Sequence, residues 1–158
     1  MLTSGNGWPA SDDQKLIAVT PYKIKGTERS IRCAKYAGPL LAGFASEFHK
    51  LIEPIDEGVF DDWAYSFRMI RGSTDKLSNH ASGSAIDLNA TKHPLGKAGT
   101  FEPTNVPMIR ALAKKYGLRW GGDYVRKDEM HFEIMLSQAK AFALCLKLGL
   151  IKQVEANK

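Results

Sequence analysis

Only two cysteines occur in the 158 residues. Cys33 and Cys145 lie far apart and form no C-x-x-C pair, which excludes a disulfide framework and a cysteine-based zinc site. Both are expected as free thiols in or near the core. No run approaches the ~20 apolar residues that a membrane helix requires, so no stable membrane association is expected. The opening "MLTSGNGWPASDDQ" has neither a basic start nor an apolar stretch, and no signal peptide is read there. Synthesis in a cytoplasm is the expectation. Internal repeats, low-complexity tracts and long linkers are missing. So is H-E-x-x-H, the commonest zinc-protease signature. What remains is the pattern of a single domain over residues 1–158, long enough to build one core.

The composition supports that. Apolar residues make up 44% and charged residues 25%, ordinary values for a globular protein. The net charge is +5 and the isoelectric point about 9.2, compatible with an acidic polymer as partner, either nucleic acid or an anionic cell wall. No helix-turn-helix or RNA-binding motif accompanies the charge, so nothing further argues for nucleic acid.

Helical and strand periods are mixed. Leu40, Phe44, Phe48, Leu51 and Ile52 recur at helical spacing between Gly38 and Glu53, and Pro54 ends that helix. An acidic loop, "EPIDEGVFDD", follows. Residues 63–71 alternate: Trp63, Tyr65, Phe67 and Met69 against Ala64, Ser66, Arg68 and Ile70, which predicts a strand with Trp63 and Tyr65 in the core. Residues 84–88 read as a short strand and 106–116 as a helix stopped by Gly117. Residues 129–134 alternate again, with Met130, Phe132 and Ile134 opposite Glu129, His131 and Glu133. Ser137 caps a last helix over 138–148, closed by Gly149. Residues 1 to 15 read as loop. Without regular β-α-β alternation this is an α+β domain: a small, mainly antiparallel sheet packed against helices.

The residues that suggest chemistry are in "SNHASGSAIDLN", residues 78–89, and "DEMHFEI", residues 128–134. A catalytic zinc ion takes three nitrogen or oxygen ligands and keeps one open position. His80 and Asp87 can reach one ion if the chain turns between them. The small residues from Ala81 to Ala85 allow it, and Gly83 permits a turn that others would resist. His131 lies on the polar face of its strand. Spacing alone leaves open whether these residues meet at a metal or are ordinary hydrogen-bonded side chains.

The two segments together resemble the zinc D-alanyl-D-alanine carboxypeptidase and L-alanyl-D-glutamate endopeptidase family, which includes VanY-like peptidases and phage endolysins. The pattern S-x-H-x-x-G-x-A-x-D is matched by Ser78, His80, Gly83, Ala85 and Asp87, and D/E-x-x-H by Asp128 and His131. The likeness runs over roughly residues 63–134. It implies Zn2+ held by His80, Asp87 and His131 at the sheet face, with Asp128 as general base; Glu129 and Glu133, which share the strand face of His131, are the rival bases. Aspartate at the base position looks like the endolysin-type endopeptidases. The family's arginine matches Arg68 in "YSFRMIR", although Ser66 and Phe67 depart from the pattern; Arg71 is the alternative. Ser78 is implied as substrate contact or support for a ligand. Asp123 in "WGGDY" is a candidate to orient a histidine ligand, and His93 a candidate pocket residue. His49 reads as a solvated side chain.

The resemblance implies a zinc peptidase that hydrolyses the peptide stem of bacterial peptidoglycan, a monomeric endolysin made in a host cytoplasm and acting on the wall after release. Alternatives are a D-Ala-D-Ala carboxypeptidase or dipeptidase, and a non-catalytic wall-binding module of the same fold.

Overall fold

A computed structural model describes residues 1–152; the end of the expected 1–158 domain, residues 153–158, lies outside the described part. Its elements in chain order are β1 (Thr20–Lys23), β2 (Ser30–Cys33), α1 (Ala37–Leu51), β3 (Ala85–Asp87), α2 (Asn105–Lys115), β4 (Leu118–Trp120), β5 (His131–Ile134) and α3 (Gln138–Lys147). β1 and β2 form an antiparallel hairpin; β3, β5 and β4 form a second antiparallel sheet with β5 in the middle. The α+β expectation is met. No helix among the described residues is long and apolar enough to cross a membrane.

Each helix ends where local chemistry stops it. α1 closes at Leu51, ahead of Pro54, whose ring disfavours helical backbone before it. α2 gives way to Gly117 at φ 69°. At the start of α3 the Ser137 hydroxyl accepts the Lys140 N–H, capping one of the orphan donors of the first turn.

The core lies between α1 and the β3-β5-β4 sheet. Leu40, Leu41, Phe44 and Phe48 of α1 are fully buried, as are Phe132 and Ile134 of β5. The Phe44 and Phe132 ring centroids are 4.5 Å apart, and Phe48 packs edge-on against Phe132. Burying a phenylalanine of this kind contributes roughly 2–3 kcal/mol. Period-two geometry then turns the alternate residues of β5, His131 and Glu133, to the opposite face. The apolar pair therefore anchors the strand that presents the polar pair. Both cysteines are buried and unpaired.

Residues 63–71 do not form the expected strand. Their backbone is shared among several partners: Trp63 with Asp87, Tyr65 with Arg32, Ser66 with His80, Arg68 with Ser78 and Ile70 with Lys76. No single neighbour offers a ladder, so only isolated bridges arise at Trp63 and Met69. The aromatic face is not core either, since Trp63 is 49% exposed and Phe67 39%. Tyr65 is half-buried, with its hydroxyl donating to the Ser11 carbonyl. The β1–β2 hairpin and β4 were not expected from the sequence, because each is only three or four residues long and lacks the extended alternation of residues 129–134.

Candidate metal centre

Three side chains converge on the outer face of the sheet. Asp87 and His131 are direct partners in the β3–β5 register, so their side chains emerge side by side. His80 arrives from a 3-10 turn, Asn79–Ser82, which the Ser78 hydroxyl caps by accepting the His80 N–H at 3.2 Å. Gly83 follows at φ 67°, and a Cβ there would lie 2.7 Å from the Ala34 nitrogen, so both the turn and the space require glycine. Ser66 donates its N–H to the His80 carbonyl, and Trp63 exchanges two backbone bonds with Asp87. The irregular 63–71 segment is thus a brace for two of the three residues.

The geometry is close. Asp87 Oδ1 lies 3.2 Å from His80 Nε2 and 3.0 Å from His131 Nδ1, and the two ring nitrogens are 3.2 Å apart. All three residues are buried, and one ligand atom from each lies within 4.8 Å of the others. The far side of each ring is committed. His80 Nδ1 donates to the Ala64 carbonyl at 2.6 Å, which can only accept. His131 Nε2 is bonded to Glu133 Oε1 at 2.7 Å. Each imidazole therefore keeps its other nitrogen for the centre, as histidine ligands with oriented second partners do. Two imidazoles and a carboxylate with one open side fit a catalytic zinc ion.

Without a metal, protons hold the cluster together. Burial opposes a charge on His131, yet hydrogen bonds to Asp87 and Glu133, and their charges, push its pKa up to about 10. Burial likewise opposes ionisation of Asp87, but the charge of His80 and hydrogen bonds from both histidines hold it well below the usual carboxylate range.

The trio opens on a cavity of about 850 Å3, also lined by Asp128, Arg68, Arg71, Arg126, Tyr124 and Trp63. Asp128 Oδ1 is buried and has no hydrogen-bond partner. Burial raises the pKa of this carboxyl, as does the Asp87 charge, while His131 and Arg68 oppose the rise. In a flat strand Asp128, three positions before His131, would face the opposite side; a turn prevents this, since His131 N–H bonds back to the Asp128 carbonyl and β5 begins only at His131. The Asp128 N–H is in turn accepted by the Gly121 carbonyl at 2.9 Å.

Other sequence candidates are placed differently. Glu129 turns away and accepts from Gly99 and Thr100. Glu133 is occupied by His131, Tyr124 and Asn79. Asp123 sits on the surface, paired with Arg110 at 2.8 Å, and does not line the cavity, because the 3-10 turn at 121–123 directs it toward α2. His93 is also outside the cavity, buried between Glu53 and Thr100 and stacked on Phe101. His49 is half-buried, its Nδ1 accepting the Ile55 N–H. Sequence reasoning gave no role to Tyr124, Arg126, Asn79 or the acidic loop. In that loop Asp61 holds Thr91 and Asp62 holds the Asn89 N–H, fixing the chain just after Asp87.

Residues 71–134, less than half of the chain, match the model of the D-alanyl-D-alanine carboxypeptidase family of zinc peptidases. The matched segment contains His80, Asp87, Asp128 and His131 and leaves out Arg68. No curated protein and no solved structure matches the chain. The family match and the buried trio, which could hold a metal ion, both support zinc peptidase chemistry.

Proposed function

We propose that this chain is a zinc-dependent endopeptidase of the phage endolysin type, cutting the peptide stem of bacterial peptidoglycan. The observation that carries the reading is the unpartnered Asp128 carboxylate on the same cavity as the buried His80–Asp87–His131 trio. In this reading His80, Asp87 and His131 are the ligands. When bound, zinc supplies Lewis-acid activation of both the attacking water and the scissile carbonyl.

The chain's own residues do the rest. Asp128 Oδ1 is free to accept a proton from the attacking water and to return it to the departing amine. Its raised pKa brings the carboxyl nearer to neutral operation than a solvated aspartate. Arg68, on the same cavity, donates to the oxygen that becomes negative as the carbonyl carbon turns tetrahedral. Arg71 and Arg126 add positive charge along the rim. That suits a stem peptide rich in free carboxylates. The exposed Trp63 ring offers a flat apolar surface beside the reacting bond. Ser78 acts through the His80 turn that it caps.

A D-Ala-D-Ala carboxypeptidase is the second reading, favoured by the family's description and by an arginine-lined cavity able to hold a C-terminal carboxylate. Digestion of purified peptidoglycan, with mass spectrometry of the products, separates the two. New amino termini inside the stem, lost with chelator and in Asp128→Ala, are the expected result. Release of free D-alanine alone selects the carboxypeptidase. Intact muropeptides despite bound zinc would mean a wall-binding module, and the roles given to Asp128 and Arg68 would be withdrawn.

A further inference from the structure

The hydrogen bonds behind His131 do not stop at Glu133. This carboxylate can only accept when ionised, and three donors converge on it: His131 Nε2 at 2.7 Å, the Tyr124 hydroxyl at 2.6 Å and Asn79 Nδ2 at 2.6 Å. The Asn79 amide could face either way on its own. Its Oδ1 is fixed by the backbone N–H of Asn6 at 3.0 Å, which can only donate, and this turns the Asn79 NH2 toward Glu133.

Asn6 is itself held on every side. Its Nδ2 donates to the Ser84 hydroxyl at 2.8 Å and to the Ile134 carbonyl at 2.9 Å. Its Oδ1 accepts from the Ser4 hydroxyl and from the Trp8 N–H. Ser4 also reaches the Ser82 hydroxyl at 2.7 Å, and the fully buried Trp8 donates its Nε1–H to the Leu136 carbonyl. One short loop thus ties the turn that carries His80 to the strand that carries His131.

We propose that Asn6, Asn79 and Glu133 form a relay of positioning residues that holds His131 with Nε2–H outward and the Nδ1 lone pair toward the metal. Residues 4–8 are then part of the metal centre, although they lie outside the segment that matches the peptidase family. The inference rests on the reading of His80, Asp87 and His131 as zinc ligands.

Two measurements test it without activity. Zinc affinity is read by competition with a chromophoric chelator for the whole chain and for Glu133→Ala, Glu133→Gln, Asn79→Ala and Asn6→Ala. Loss of an outer partner of this kind typically weakens metal binding about 10–100-fold, the range expected for Glu133→Ala. Asn79→Ala and Asn6→Ala weaken it by less, and Glu133→Gln, which keeps an acceptor oxygen, recovers most of the loss. In parallel, 15N NMR of the cadmium-113-substituted wild type reads which His131 nitrogen is coupled to the metal; Nδ1 is expected. Melting temperatures of the metal-free variants separate a general loss of stability, which would not follow the Gln rescue.

Zinc affinity of Glu133→Ala within twofold of wild type overturns the relay, and so does metal coupling to Nε2. Failure of the wild type to bind zinc sinks the metal reading itself, whereas binding that no variant weakens sinks the relay alone. If Glu133→Ala does not fold, the wild-type NMR and Asn79→Ala decide: metal coupling to Nε2, or a zinc affinity of Asn79→Ala equal to that of wild type, overturns the relay.

Discussion

Gly121→Ala should disable the proposed peptidase without removing any functional group. Gly121 packs directly beneath Asp128: it accepts the Asp128 N–H through its carbonyl, and a Cβ built on it would lie 2.2 Å from the Asp128 carbonyl oxygen and 3.0 Å from the Asp128 Cβ. The first distance is about 1 Å short of ordinary van der Waals contact. A backbone oxygen cannot swing aside as a long side chain can, so the turn at 121–128 must shift by roughly that amount. The exposed residues Val125 and Arg126 let it do so without unfolding the core. A misplacement of about 1 Å in a catalytic group costs on the order of 100-fold in rate. The three proposed ligands should suffer less, because His131 is also held by its β3 partner Asp87 and by Glu133. The assay is the rate of stem-peptide hydrolysis by zinc-loaded protein, with zinc affinity and melting temperature measured beside it. The expected outcome is a loss of about 100-fold in kcat/KM with the zinc Kd changed by less than about tenfold. A folded, zinc-loaded Gly121→Ala that hydrolyses within threefold of wild type would refute the placement of Asp128 as the base.

Two further predictions concern protons. Asp62 is buried, one of its carboxylate oxygens has no partner, and burial pushes its pKa up to about 6 from an ordinary 3.8. Ionising it therefore costs stability as pH rises from about 4 to 6, and the cost persists above. Asp62→Asn escapes that cost, the rise from 3.8 to about 6 being worth about 3 kcal/mol, while its own unpartnered N–H gives back ~1–2 kcal/mol. Urea denaturation should show the variant ~1–2 kcal/mol more stable at pH 8 and no more stable at pH 4; a gain that is the same at both pH values would exclude the ionisation argument. For the metal centre, the His131 pKa of about 10 means that zinc must displace a proton. Zinc affinity should fall about tenfold for each unit of pH lost between pH 9 and 7. The metal-free protein runs the other way: the raised pKa contributes stability that is whole below the ordinary histidine value of 6.5 and is lost as pH rises toward 10. Denaturation in chelator from pH 7 to 10 checks the sign.

Long periodic elements were legible from the sequence. α1, α2 and α3 fall within two residues of their expected bounds, because an apolar stripe with a proline, glycine or serine at its ends is a local signal. The 63–71 segment misled for a physical reason. Its period-two pattern is real, but the pattern records which side chains face water, not which backbone pairs with it. Here Phe67 and Met69 are exposed, Trp63 and Tyr65 line a cleft together with Ala64, Ser66, Arg68 and Ile70 of the other face, and the backbone braces His80 and Asp87. The β1–β2 hairpin and β4 are as short as β3 and β5 but lack the alternating apolar residues that extend beyond β5 over residues 129–134. The neighbourhood of the three candidate ligands was less legible still. Nothing local announces that Glu133 would hold the back of His131, or that Asp123 would pair with Arg110.

That difference follows from how the centre is built. A ligand set must be spelled in the chain, because zinc takes its donors from a few side-chain types, cysteine, histidine and carboxylate. Orientation of those donors can come from any acceptor within reach. The Ala64 carbonyl does it for His80 and a side-chain carboxylate for His131. A carbonyl leaves no trace in the amino-acid sequence, and Glu133 reads as one polar residue in an alternating strand. Its partner Asn79 is separated from it by 54 positions, and Asn6 from Asn79 by another 73. Such contacts exist only once the sheet has formed. The proposed ligands and base are therefore readable in two short segments, whereas their rigidity is a property of the fold, distributed over the first loop, the 63–71 brace and the acidic 61–62 pair.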